Sequence, residues 1–153
     1  MAEPTAFALS RHFTSLINRE VAFAQSTAAL ETKTPKVFGV YVVFPEQTAL
    51  VVKADLSLLG SFAGALIGLP DAEVKQRVSS AAIDELLRDP VQEVLNVASA
   101  VVSSVGRAVF KSMTMNPIYL HPDAEKALNH PLHRSYFTVR INGYQGGRFC
   151  VFE

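Results

Sequence analysis

The fold is decided by residues 37–68, which read VFGVYVVFPEQTALVVKADLSLLGSFAGALIG. Val37–Phe44 is rich in β-branched and aromatic residues, which predicts a strand that is largely covered on both faces. Pro45–Gln47 predicts a turn into a second strand over Thr48–Ala54, so the two strands should form a hairpin. Leu56–Gly68 is apolar on almost every side, which predicts a helix in the interior of the protein. Close approach to another backbone is expected at its small residues, Gly60, Ala63 and Gly64.

Patterns on either side of this stretch predict further helices and strands. Helices are expected over Thr5–Ala24, over Pro70–Arg88 with a possible break at Ser79–Ser80, and over Pro90–Arg107. Strands are expected over Met113–Leu120, Tyr136–Ile141 and Arg148–Phe152, and a Gly-rich turn that begins at Asn142 joins the last two. Because helices and hairpins do not alternate as βαβ units, the order favours an α+β fold with two layers, a mostly antiparallel sheet with helices packed on it. We expect one domain over residues 1–153.

The composition is that of an ordinary soluble globular protein. Hydrophobic residues make up 49% of the chain, and fourteen Lys and Arg balance fourteen Asp and Glu. A net charge of zero leaves no electrostatic surface that favours nucleic acid or an anionic membrane. The one cysteine, Cys150, has no partner for a disulfide, and the N-terminus lacks the basic region of a signal peptide. These features predict a cytoplasmic protein.

The helix predicted over Pro90–Arg107 has the clearest start signals in the sequence. Asp89 is a favoured N-cap, Pro90 suits the first helical position, and Gln92 completes a capping box. At helical spacing one side of this helix is apolar and should face the core: Val91, Val94, Leu95, Ala98, Val101, Val102, Val105 and Val109. The opposite side holds Asp89, Gln92, Glu93, Asn96, Ser99, Ala100, Ser103 and Arg107.

The polar side of this helix has an unusual composition. Glu93 and Asn96 are three residues apart, so their side chains point the same way from adjacent turns. Beyond them the side chains are small, with Ser99, Ala100 and Ser103, where a solvated helix usually carries long charged residues. Such a surface would let another protein approach closely. The simpler interpretation is a polar helix face without a function.

The pattern Asp89-x-x-x-Glu93-x-x-Asn96, followed by Pro117, resembles the signature helix of the CheC/CheX chemotaxis phosphatases. The surrounding order of an N-terminal helix, a hairpin, an AGALIG helix and a C-terminal sheet is similar to a CheX chain with a single ExxN motif. The resemblance spans nearly the whole chain at low identity. It implies a CheC/CheX-like fold and homodimers that pair through their sheets.

The resemblance also implies a chemical role for two residues. Family members dephosphorylate the aspartyl phosphate of a CheY-like receiver domain of a response regulator, where the receiver supplies the Mg²⁺ and a lysine. By this resemblance, Asn96 would orient the attacking water and Glu93 would pair with the receiver's lysine. The partner-docking face would comprise Asp89, Gln92, Ser99, Ala100 and Ser103, with Asp89 mainly an N-cap. No cofactor or metal of its own is expected in this chain.

Two other hypotheses stay open at this point. The family often has Gly four residues after the Asn, where this chain has Ala100, and the spacing to Pro117 is slightly short. These departures favour a non-catalytic binding or adaptor module of the same fold in a signalling pathway. An unrelated α+β domain with an accidental ExxN is the third hypothesis, and it predicts that Glu93 and Asn96 face the core.

The remaining candidate sites have simpler interpretations. His121, Asp123, His130 and His133 could suggest a metal site, but prolines interrupt the run and no cysteine joins it, which favours a polar surface loop. Gly143, Gly146 and Gly147 do not form a GxGxxG motif and are typical of a hairpin. Cys150 alternates with apolar neighbours and is expected in the core or the sheet.

Overall fold

The central hairpin and the helix that follows it form as the sequence predicts. A computed structural model describes residues 4–27 and 33–153. Its helices are α1 (Ala6–Ile17), α2 (Leu56–Ile67), α3 (Asp71–Val78), α4 (Glu85–Val97) and α5 (Pro122–Asn129). Its strands are β1 (Val21–Gln25), β2 (Lys36–Phe44), β3 (Thr48–Asp55), β4 (Arg107–Thr114), β5 (Arg134–Ile141) and β6 (Tyr144–Phe152). Short 3₁₀ turns cover Ala98–Ala100 and Pro117–Tyr119.

The six described strands form one sheet in the order β1-β5-β6-β3-β2-β4, and every neighbouring pair is antiparallel. In β5, Phe137, Val139 and Ile141 alternate with more exposed residues and turn into the core. The prediction of an α+β fold with a mostly antiparallel sheet is therefore confirmed.

The sheet carries helices on both faces. On one face, apolar residues of α1, α2 and α4 form the main core with the inward side chains of the strands. On the other face, Ala124 of α5 packs with Phe38 and Val51 in a smaller cluster. Burial of apolar area is the dominant favourable term in folding, so the larger cluster fixes where α4 lies on the sheet.

The second helix, α2, is buried over its first nine residues from Leu56 to Gly64 except at Ser57. Its small residues let α3 approach closely. A methyl group built on Gly64 would lie 2.3 Å from Cγ2 of Val74, and one on Gly60 would lie 2.7 Å from Cγ1 of Val78. The close contact expected at these positions is thus with side chains of α3.

Two element predictions near the N-terminal half were wrong in their bounds. The helix expected over Thr5–Ala24 ends at Ile17, where Asn18 takes the left-handed conformation, and β1 follows. Val21 fits the apolar stripe of a longer helix, but Val21 and Phe23, two residues apart, share a face only in a strand, and pairing of β1 with β5 provides that strand. The stretch expected over Pro70–Arg88 has the break expected at Ser79–Ser80, since α3 ends at Val78 and α4 begins at Glu85, but α4 continues past Arg88 to Val97.

The segment between β4 and β5 also departs from the prediction. The strand expected over Met113–Leu120 lies earlier, as β4. The polar loop expected around His121 is instead helix α5, which Pro122 begins at its first position. His121 is its N-cap, since the ring Nδ1 accepts a hydrogen bond of 3.2 Å from the backbone N–H of Asp123. The described residues contain no group of three or more His, Cys, Asp and Glu arranged to hold a metal ion.

Candidate functional site

Helix α4 begins five residues before the start that the sequence predicts. Its N-cap is Asp84, whose carboxylate accepts a hydrogen bond of 2.7 Å from the backbone N–H of Leu86. The guanidinium of Arg77 donates to both carboxylate oxygens of Asp84, at 3.0 and 3.1 Å. Desolvation raises the pKa of Asp84, but the donors of Leu86 and Arg77 outweigh it and the pKa is lowered. The cap is therefore ionised near neutral pH and suits a helix N-terminus.

The prediction that Asp89 is the N-cap was wrong. Asp89 lies exposed within α4, and Pro90 is inside the helix, without an N–H for the helical ladder. Apolar packing outweighs the local Asp-Pro signal, because Leu87, one turn before Val91, is buried on the same side of the helix. The spacing of Leu87, Val91 and Val94 is helical, so this signal for the earlier start was present in the sequence.

The two predicted working residues lie side by side on the exposed side of α4. The buried side of the helix consists of Leu87, Val91, Val94 and Leu95, all within the main core. Glu93 and Asn96 are exposed, as are Asp89 and Gln92. Within residues 4–27 and 33–153, no hydrogen bond or ion pair engages the side chain of Glu93 or Asn96. Both groups are therefore available to a partner, and a core-facing orientation is excluded.

The end of the predicted docking face has a different geometry. Helix α4 ends at Val97, and Ser99 and Ala100 lie in the following 3₁₀ turn, with Ala100 exposed. Ser103 lies beyond this turn, and its hydroxyl donates a hydrogen bond of 2.9 Å to Oε2 of Glu153. Burial raises the pKa of Glu153, an effect that the Ser103 hydroxyl partly opposes. Ser103 therefore bonds to the residue that follows β6, and it does not lie on the exposed side of α4.

Three further residues of the predicted helix or motif lie elsewhere. Val105 is 52% exposed in the loop after α4, and Val109 is in β4, so neither belongs to the apolar side of the helix. Pro117 lines a cavity with Phe38 and Lys53, on the α5 face of the sheet. The structure thus does not bring Pro117 to the face that carries Glu93 and Asn96.

One residue of this face was not singled out from the sequence. Leu86 is 46% exposed on the first turn of α4 and lies seven residues before Glu93, which puts the two on the same side of the helix. Leu86 therefore offers a partner protein an apolar surface two turns away from the Glu93 carboxylate. It was missed because the helix was expected to begin after it.

No helix in the described part of the chain is long and apolar enough to cross a membrane. A scan against protein-family models and a search of curated proteins both returned no match.

Solved structures of FliM and FliY have a similar fold. The FliM middle domain from H. pylori aligns with a TM-score of 0.52 at 15% identity, covering 96% of this chain and 84% of that one. A FliG–FliM complex from H. pylori gives 0.53 at 14% identity, with coverages of 98% and 87%. FliY from Thermotoga maritima gives 0.58 at 12% identity, with coverages of 94% and 81%. At these identities the likeness shows the fold alone: this chain has the fold of the FliM middle domain and of FliY.

Proposed function

We propose that this protein is a phosphatase that accelerates hydrolysis of the aspartyl phosphate on a CheY-like receiver domain in bacterial signalling or chemotaxis. One observation carries the proposal. Glu93 and Asn96 project together from the exposed side of a helix whose other side is fixed in the core. Functional groups on a rigid, packed helix hold their geometry better than groups on a loop.

The two side chains supply what this hydrolysis needs from a second protein. The reaction requires a water held in line with the scissile bond and stabilisation of charge on the transferred phosphoryl group. The Mg²⁺ and lysine of the receiver would provide the charge stabilisation, so this chain needs no cofactor of its own. The Asn96 amide is not a usable base near neutral pH, and it would act by orienting the water. The Glu93 carboxylate would pair with the receiver's lysine and fix the docked register.

The second candidate is a binding or adaptor module that engages a receiver or a flagellar partner without catalysis. Ala100, exposed at the turn that ends α4, is the observation that favours it, since the resembled family often has Gly there. One of the fold neighbours, FliM of H. pylori, was crystallised in complexes with FliG and with SpeE. A protein of this fold thus forms complexes with other proteins, which is the role that the adaptor hypothesis assigns to this chain. The homodimer implied by the family resemblance stays a prediction.

The decisive experiment follows the decay of a phosphorylated receiver with and without this protein. The wild type should accelerate the decay, and Asn96→Ala should reduce this acceleration by about 100-fold, as loss of one positioned group in a transition state does. Asn129→Ala is the matched control, because Asn129 is an exposed Asn at the end of α5, on the other face of the sheet from α4, and it should retain most of the acceleration.

The outcomes separate the two candidates. Equal acceleration by the wild type and Asn96→Ala would refute the assigned role of Asn96. Binding of the phosphorylated receiver with no faster decay would support the adaptor. Both variants should unfold at the wild-type urea concentration, since neither side chain makes a contact that the fold needs.

A further inference from the structure

Strand β2 contacts helix α4 at Leu95, the residue immediately before Asn96. The hydroxyl of Tyr41 donates a hydrogen bond of 2.5 Å to the carbonyl oxygen of Leu95. The side chains of both residues are fully buried. The two residues are 54 positions apart in the chain, so this bond ties the end of the helix directly to the sheet.

The carbonyl of Leu95 needs this donor because of where α4 ends. The helix ends at Val97, and the last four carbonyl groups of an α-helix lack a partner within the helix. A buried polar group without a partner is costly, so the Tyr41 hydroxyl satisfies an acceptor that the helix itself leaves open. Burial raises the pKa of Tyr41, so the phenol stays protonated and keeps donating across the working pH range.

A second contact from the same strand holds the side chain of Leu95. Gly39 lies two residues before Tyr41 on the same face of β2, and it has no side chain in the way of Leu95. A methyl group built on Gly39 would lie 3.1 Å from Cδ2 and 3.4 Å from Cδ1 of Leu95. Leu95 is thus fixed twice, by its carbonyl oxygen through Tyr41 and by its side chain over Gly39.

Helix ends fray, and α4 ends one residue after Asn96. Glu93 lies almost one turn earlier, so movement of the last turn would displace Asn96 relative to Glu93. We propose that Tyr41, with Gly39, is a positioning residue that fixes the last turn of α4 and thereby sets the place of the Asn96 amide. The proposal rests on the phosphatase function proposed above, and it assigns to the sheet a direct part in the geometry of that site.

The test is Tyr41→Phe, which removes the hydroxyl and keeps the ring packed edge-to-face against Phe110, with 5.5 Å between the two ring centroids. The expected result is a fall of about tenfold or more in the maximal acceleration of receiver dephosphorylation, because small displacements of a positioned group cost this much. The concentration of this protein that gives half of the maximal acceleration should stay unchanged, since the docking face keeps its side chains.

The chain offers a matched control in Tyr144→Phe. The hydroxyl of Tyr144 also donates to a main-chain carbonyl, that of Leu69, but away from α4. This variant loses the same kind of bond, so it reports what a general loss of stability does to activity. Its maximal acceleration should equal that of the wild type at a temperature where all variants are folded.

A second readout does not depend on activity. Amide hydrogen exchange in the peptide that covers residues 93–100 should become faster in Tyr41→Phe and stay unchanged in Tyr144→Phe. Gly39→Ala provides a backup if Tyr41→Phe does not fold, since the added methyl group presses on Leu95 and should also lower the maximal acceleration.

The outcomes distinguish this proposal from the proposed function. If the wild type accelerates decay and Tyr41→Phe does so equally well, the positioning role is overturned while the phosphatase stands. A loss in Tyr41→Phe that appears only as weaker receiver binding would overturn it too. If the wild type has no effect on decay, the phosphatase fails, and the exchange data then decide alone whether Tyr41 fixes the last turn.

Discussion

Replacing Asp55 by Asn should destabilise the fold strongly, because this carboxylate joins three segments at the turn from β3 into α2. Asp55 is 5% exposed. Its Oδ1 accepts a hydrogen bond of 2.7 Å from the hydroxyl of Thr34 and another from the ammonium of Lys36. Its Oδ2 accepts a hydrogen bond of 2.7 Å from the backbone N–H of Arg148 in β6.

The size of the effect follows from the burial of this ion pair. Removing one partner of a buried pair costs about 3–5 kcal/mol, because the attraction between the two charges is lost in a poorly solvated place. Lys36 and Asp55 have side chains only 12% and 7% exposed. The amide of Asn keeps one oxygen as an acceptor, so we expect a loss near the lower end, about 3 kcal/mol in the free energy of unfolding.

Urea denaturation followed by circular dichroism at neutral pH measures this loss, with Lys36→Met and the double variant completing a cycle. The double variant should be more stable than the sum of the single losses predicts, because it removes both charges together. A loss below about 1 kcal/mol for Asp55→Asn, the size of an ordinary hydrogen bond, would refute the importance of the buried pair. Strict additivity in the cycle would refute the coupling.

The same pair makes stability depend on pH. Burial raises the pKa of Asp55, but the donors of Lys36, Thr34 and Arg148 outweigh it, and the pKa in the folded protein is lowered. A carboxyl with a lowered pKa adds stability above its unfolded pKa of about 3.9 and loses that contribution as the pH falls towards the folded value. The stability gap between the wild type and Asp55→Asn should therefore narrow on acidification, and a constant gap would contradict this.

Two further substitutions test the packing and the start of the site helix. Asp84→Ala removes the N-cap of α4 and should lower the urea midpoint of unfolding, whereas Asp89→Ala should leave it unchanged. A lower midpoint for Asp89→Ala than for Asp84→Ala would instead identify Asp89 as the N-cap. Gly64→Ala places a methyl group 2.3 Å from Cγ2 of Val74 and should cost about 1–3 kcal/mol in unfolding free energy, despite the better helix propensity of Ala. Val74→Ala in the same chain should recover part of the loss, and no recovery would contradict the clash.

The polar face of α4 was predictable from the sequence, whereas its end was not. Helical spacing alone separates Glu93 and Asn96 from Val94 and Leu95, and the structure exposes the first pair and buries the second. Ser103 fits the same spacing, but the helix ends at Val97 and the Ser103 hydroxyl bonds Glu153 instead. Periodicity carries no information about where a helix stops when the stopping contacts come from distant strands.

The sequence by itself determined the hairpin, the buried helix α2 and the outward direction of Glu93 and Asn96, because each depends on residue types within a few turns or one strand. Only the tertiary structure decided that Val21 lies in a strand, since Val21 also fits the apolar stripe of a longer helix and it is β5 that offers β1 a pairing partner. The tertiary structure also decided the position of Leu95, whose carbonyl oxygen accepts a hydrogen bond from Tyr41, 54 residues away in the chain. A buried backbone group that lacks a local partner needs one from elsewhere in the fold, and the sequence pattern around it does not show which residue provides it.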